Sequence, residues 1–315
     1  MAGWTPASVM SEPWRSVTPD ASGVALGAMG PVAARRRHIP WRLLVCATPV
    51  LLAVLAALLA AWVAPHSPIS TNLGARLRPP AWQQGGGLDH LLGSDLLGRD
   101  VLSRLIWGAR ISLPIALLAT ALGAAVGSAL GLAAGYYRGA ADTVLTKLVD
   151  IQLAFPFVLF AISVIAVAGP GMTVLVIVLA IGSWVGHARI VRGLALSLRE
   201  REFVQSARAL GAGGLRILVR HLLPDVLSVI VIMATFDVGR IIILESTLSF
   251  LGLGVQPPTP SWGSDLRDAA VYVRQAWWIA TFPGVIIMAV VLGVNLLGDT
   301  LRDILDPRIV KVRTH

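Results

Sequence analysis

The sequence predicts an all-α integral membrane protein of about six transmembrane helices, and three observations carry that class. Hydrophobic residues make up 56% of the 315 positions and mean hydropathy is +0.75, too apolar for a soluble domain and long enough for several spans. The apolar residues fall in uninterrupted runs of spanning length. Arginines gather at the ends of those runs, where positive charge sets orientation, so the formal charge of +9 implies no nucleic-acid partner. The single cysteine, Cys46, lies inside an apolar run and excludes an intrachain disulfide or a cysteine-based metal site.

Residues 1–42 read as a cytoplasmic, mostly disordered tail, rich in Ala, Gly, Pro and Ser with scattered Trp4 and Trp14. Arg35, Arg36, Arg37 and Arg42 precede the first apolar run, 43–64, which reads as an uncleaved signal-anchor helix with its N-terminus inside. Residues 65–110 form an outer loop, in which Asp100 can cap a short interfacial helix over Val101–Trp107 with Arg104 on the aspartate's face. Arg76, Arg78, Arg99, Arg104 and Arg110 fall on this outer side, against the charge rule, and Asp89, Asp95 and Asp100 are their candidate local partners.

Residues 111–307 hold the other five spans, with 308–315 as a cytoplasmic C-terminus. In the second span, Ile111–Gly135, the glycines Gly123, Gly127, Gly131 and Gly135 recur every four residues, which lets another helix backbone approach closely. That helix belongs either to this chain, the favoured expectation, or to a partner subunit. Residues 136–150 read as a short polar connection carrying Arg138 and Lys147. Ile151–Ala168 rises back with a bend at Pro156, Gly169-Pro170-Gly171 turns, and Met172 to about Val191 descends.

Between that span and the next, Val226–Leu244, lies the stretch SLREREFVQSARALGAGGLRILVRHLLP, residues 197–224. Arg199, Arg201, Arg208, Arg216 and Arg220 place it on the cytoplasmic side. Ser197 and Glu200 have capping-box spacing and predict a helix from near Leu198, with Phe203, Ala207 and Leu210 on one face and Gly211, Gly213 and Gly214 at its end. A second helix then sets Leu215, Leu218 and Leu222 on one face and Arg216 and Arg220 on the other, with Pro224 at the boundary of the span. This reads as a docking surface; the alternative is an amphipathic hairpin resting on lipid headgroups.

The fifth span carries Asp237 and Arg240 at i, i+3, read as an intramembrane ion pair that pins helix orientation, with a role in the substrate path as the alternative. After it, Gly252, Gly254 and Pro257-Pro258 forbid a continuous helix and predict a re-entrant outer segment. Trp277 and Trp278 mark a headgroup boundary before the last span, Phe282–Leu297, and Arg302, Arg308, Lys311 and Arg313 follow it.

The 197–224 stretch resembles the EAA loop of bacterial ABC-importer permeases, with Gln205, Ser206, Ala207, Gly211, His221, Leu223 and Pro224 at the matching positions. Gln205 stands where that pattern has Glu. Gly93–Arg104 and Glu245–Ala269 are similar to segments of the dipeptide/oligopeptide (peptide/nickel) branch, specifically its second permease with an N-terminal signal-anchor helix.

The resemblance implies a pore-forming subunit in the bacterial inner membrane, both termini cytoplasmic. Its expected partners are a second homologous permease, two ABC ATPase domains docked on the loop, an outer solute-binding protein and the lipid bilayer. The chain has only two lysines, Lys147 and Lys311, neither in a P-loop setting, so no cofactor is expected on it, and ATP and magnesium are expected on the ATPases. Nickel import is the nearest alternative, although the spans carry no metal-spaced His or Cys. A secondary transporter is the alternative of another class, and for that Asp237 and Arg240 are the sole intramembrane candidates.

Overall fold

The computed structural model describes residues 41–305, with side chains from residue 47 onward, so the predicted tail up to residue 40 and residues 306–315 lie outside it. The described elements are helices α1 (Trp41–Leu58), α2 (Ala60–Val63), α3 (Val101–Tyr137), α4 (Gly139–Ala154), α5 (Phe157–Ala168), α6 (Met172–Leu198), α7 (Glu202–Ala209), α8 (Gly214–Ile217), α9 (Leu223–Phe250), α10 (Trp262–Ala269) and α11 (Trp277–Leu305). A 3₁₀ turn covers Leu73–Ala75, and a π turn, Leu218–Leu222, joins α8 to α9.

Among the described residues, four helical stretches are long and apolar enough to cross a membrane: α3, α6, Gly214–Phe250 and α11. The pair α4 and α5 makes a fifth if counted as one span, bent by 90° at Phe155-Pro156, where the proline withdraws a helix donor. The first expected span, 43–64, corresponds to α1 and the four-residue α2, separated at Leu59. Helix α3 runs through the middle of the fold against α1, α6 and α9, while α11 packs on α1, α9 and α10. Their shared core includes Leu105, Ile115, Leu175, Leu179, Ile241, Leu248 and Trp262.

The interfacial helix and the second span are one helix of 37 residues, because Trp107-Gly108-Ala109-Arg110 holds no proline and its single glycine, Gly108, is held against Trp262. Asp100 caps it: one carboxylate oxygen accepts from the Ser103 amide at 2.8 Å. The predicted polar connection 136–150 is mostly helix α4, entered through positive φ at Arg138 (59°) and Gly139 (60°), with Asp142 paired to Arg192 of α6.

Two further expectations about the loop fail. Helix α6 continues past Val191 to Leu198, since Ala195 is fully buried against Gly135, and it absorbs Ser197. The Ser197/Glu200 capping box therefore does not form, and α7 starts instead at Glu202 after an extended Arg201. Pro224 stands in the first turn of α9, at the predicted boundary, without a break in the helix. In the π turn the Leu223 amide donates to Leu218 O, five residues back, and this wider ring accommodates a proline in the first turn of α9, so the chain stays helical from Gly214 to Phe250.

Beyond Phe250 the chain does turn back, through Gly252 at φ +83°, into the buried helix α10. Residues 65–100 form a laced cap across the same end of the fold. Asn72 N–H donates to Leu97 O at 3.1 Å, Leu77 N–H to Asp95 O at 3.0 Å and Ser94 N–H to Arg78 O at 3.0 Å.

Candidate functional site

The loop between α6 and α9 is fastened by one fully buried side chain, Val204 of α7. It joins Tyr136, Val191, Ala195, Ile217, Leu218 and Leu222 in a small apolar cluster at the Tyr136 end of α3. Arginines tie the loop to that helix end. Arg199 Nη1 donates to Tyr136 O at 2.7 Å, and the Arg208 guanidinium lies 5.3 Å from the Tyr136 ring centre. A Cβ on Gly214 would come within 2.6 Å of the Tyr137 hydroxyl, so α8 rides directly on the same end.

With Val204 inside, the predicted face divides. Phe203 is 40% exposed and Leu210 89% exposed, and Ala207 is half-buried, with its carbonyl accepting from Ala212 N–H at 3.0 Å. Gly211 holds φ +82°, which turns the chain out of α7. Gln205, Ser206 and Pro224 are exposed, and His221 stands beside Phe203 with ring centres 6.4 Å apart. The second predicted face also shifts: Leu218 and Leu222 are buried, whereas Leu215 is 72% exposed and Ile217 takes its place inside. Phe203, Leu210 and Leu215 are thus apolar side chains presented outward from a fastened scaffold. An unpartnered apolar surface of this kind suits a protein contact.

The glycine stripe faces α6 of the same chain. A Cβ on Gly123 would lie 2.5 Å from Ser183 Cβ, on Gly127 2.2 Å from Trp184 O, on Gly131 2.5 Å from Ala188 O and on Gly135 2.6 Å from Ala195 Cβ. On α9, Arg240 Nε donates to Asp237 Oδ1 at 2.7 Å, Ser183 Oγ donates to Asp237 Oδ2, and Arg240 Nη2 reaches Gly182 O at 3.3 Å. Asp237 is buried, the Arg240 side chain is half exposed, and both line a cleft that also contains the buried His187.

A family model described as "Binding-protein-dependent transport system inner membrane component" matches residues 127–311, a stretch holding most of the stripe, the whole loop and the last helix. The chain belongs to that family. It is a permease subunit, and similar proteins cover most of its length. It is 43% identical over 260 residues to the di/tripeptide transport system permease protein DppC of Pseudomonas aeruginosa (strain UCBPP-PA14), spanning 82% of this chain and 86% of that one. To the dipeptide transport system permease protein DppC of Escherichia coli (strain K12) it is 41% identical over 260 residues, covering 82% and 87%. Among solved structures, inward-facing conformations of the MetNI methionine ABC transporter match with TM-score 0.52 and 19% identity, over 64% of this chain and 97% of that one, a likeness of fold.

At its other end the permease carries a group of charges in which Asp95 is a predicted partner and Asp265 and Asp268 are partners that sequence reasoning missed. Arg104 Nε donates to Asp265 Oδ1 at 2.8 Å across 161 residues, and its Nε lies 3.8 Å from Asp95 Oδ2. Arg99 pairs with Asp95 and, through Nη2 at 2.9 Å, with Asp268. Burial pushes the Asp265 carboxyl above its ordinary range, opposed by the adjoining Arg104 and Arg99. Asp100 is not the partner of Arg104; its oxygens face Ser103, His90 and His66. No local pattern announces Asp265 or Asp268, since α10 is brought onto α3 only by the turn after Phe250.

Proposed function

We propose that this permease forms half of the pore of an ATP-driven importer that carries dipeptides or oligopeptides across the bacterial inner membrane. The observation that supports the substrate is the identity of about two residues in five, over four fifths of the chain, to permeases named for di- and tripeptide transport. In this reading the second half of the pore is a homologous permease, and an outer solute-binding protein delivers the peptide to the Asp100 end. The Tyr136 end faces the cytoplasm with both termini, and two ABC ATPase domains holding ATP and magnesium dock there.

Phe203, Leu210 and Leu215 supply the apolar contact for the ATPase, and Gly211 sets the angle between α7 and α8. Val204 and the Tyr136 contacts pass movement of the docked ATPase into α3. The stripe Gly123, Gly127, Gly131 and Gly135 makes α3 and α6 move together. Asp237 and Arg240 hold α9 in orientation beside α6.

The test is uptake of a labelled dipeptide by cells expressing the whole transporter. Depleting ATP should abolish uptake, and collapsing the ion gradients at constant ATP should leave it intact. Ala207→Glu should also abolish uptake while the subunit stays in the membrane, because a carboxylate enters a half-buried position behind the docking face. Uptake that survives ATP depletion but not loss of the gradient would overturn the reading.

A further inference from the structure

We propose that His66, His90 and Asp100 form a divalent-metal site suited to zinc, which fastens the segment after α2 to the start of α3. His90 Nδ1 lies 3.1 Å from Asp100 Oδ1, and His66 Nδ1 lies 3.9 Å from Asp100 Oδ2. One donor atom from each residue falls within 4.8 Å of the other two. Ligand bonds to zinc of about 2.0–2.2 Å in a tetrahedron put neighbouring donors roughly 3.2–3.6 Å apart. The His90 pair at 3.1 Å falls just short of that spacing, and a small turn of the His66 ring brings in the other.

The surroundings are those of a held ligand set. Asp100 and His90 are almost sealed, with side chains 1% and 11% exposed, whereas the His66 side chain is 44% exposed and leaves a path for the ion and for a water as fourth ligand. Ser103 Oγ donates to Asp100 Oδ2 at 2.7 Å and accepts from the His66 amide at 3.0 Å, so one hydroxyl orients the carboxylate and positions the backbone of the second histidine. Such outer contacts raise the precision of a metal site. Two imidazoles with one carboxylate are borderline ligands that favour zinc over magnesium or calcium. Spacing along the chain hides the trio, because the histidines stand 24 positions apart and the cap 65–100 must fold before they meet.

The simpler role for the same atoms is a hydrogen-bonded helix cap, in which His90 donates to Asp100 and His66 is incidental. The two readings separate in a metal titration. The full chain, purified with a tag free of histidine and stripped with chelator, is titrated with zinc against a chromophoric competitor. We expect about one equivalent bound at micromolar dissociation constant or tighter, with X-ray absorption reporting only nitrogen and oxygen neighbours near 2.0 Å. His66→Gln should weaken binding at least tenfold, comparable to losses known for altered metal surroundings. His90→Ala should do the same; Asp100 is left alone because it caps α3. Because His66 is exposed, its variant keeps the fold and gives a clear answer. Wild-type binding weaker than millimolar, or unchanged affinity in His66→Gln, would overturn the site.

Discussion

The two ends of α3 invert the usual places of charge and oil. At the Asp100 end, Asp95, Arg99, Arg104 and Asp265 are all buried, with side chains no more than 7% exposed. At the Tyr136 end, Phe203, Leu210 and Leu215 face outward, most arginines of the loop are exposed, and Val204 alone in α7 is buried. A buried ion pair contributes little net stability against an apolar replacement, yet breaking it is costly, so it enforces one arrangement. Exposed apolar side chains do the reverse: they leave the arrangement open until a partner covers them. One end is completed within the chain, and the other leaves an apolar face that the chain itself does not cover.

The contrast depends on both ends belonging to one body, and the strongest way to break it is to split that body in the middle. Gly127→Leu puts side-chain atoms where Trp184 O already stands 2.2 Å from a Cβ, so α3 and α6 must separate. The expected result is loss of the subunit from the membrane fraction, while Ala121→Leu, on the exposed side of α3, leaves abundance near wild type. Equal abundance of the two would remove the packing argument.

The next largest effect belongs to the sealed end. Arg104→Met strands Asp265 and should destabilise the permease by about 3–5 kcal/mol, and the double change Arg104→Met with Asp265→Leu should recover most of that loss. Thermal unfolding in detergent measures both. A double variant as unstable as the single one would show that the pair is needed for more than charge balance.

The smallest effect on stability belongs to the open end, where Leu210→Ser should change it by no more than about 0.5 kcal/mol. Uptake and ATPase retention on the purified complex should nevertheless fall. A variant that keeps both would show that the exposed face is not the docking surface and would weaken the contrast itself.

Much of this division could be read from residues close together in the chain. The apolar runs, the Asp100 cap and the four-residue glycine spacing each concern one helix and its immediate face. Long-range choices were hidden. Periodicity groups Phe203, Ala207 and Leu210, but only the fold reveals that Val204 meets Tyr136 and turns that group outward. The Ser197/Glu200 pattern satisfies a local capping rule and loses to the burial of Ala195 against Gly135, which prolongs α6. Arg104 and Asp265 meet only after six intervening α-helices and a reversal of the chain. The histidine pair beside Asp100 was invisible for the same reason.

The unbroken length of α3 has a mechanical consequence. At about 1.5 Å per residue its 37 residues extend roughly 55 Å, well beyond a hydrocarbon layer of about 30 Å, so a single rod protrudes through it. Pro114 lets the rod flex about a third of the way from the Asp100 end, but no loop interrupts it. Pivoting the whole rod by about 5° sweeps one tip roughly 5 Å relative to the other, which approaches one helical pitch. A small angular stroke at Tyr136 is thereby amplified into a displacement at Asp100 large enough to change which side chains that end presents.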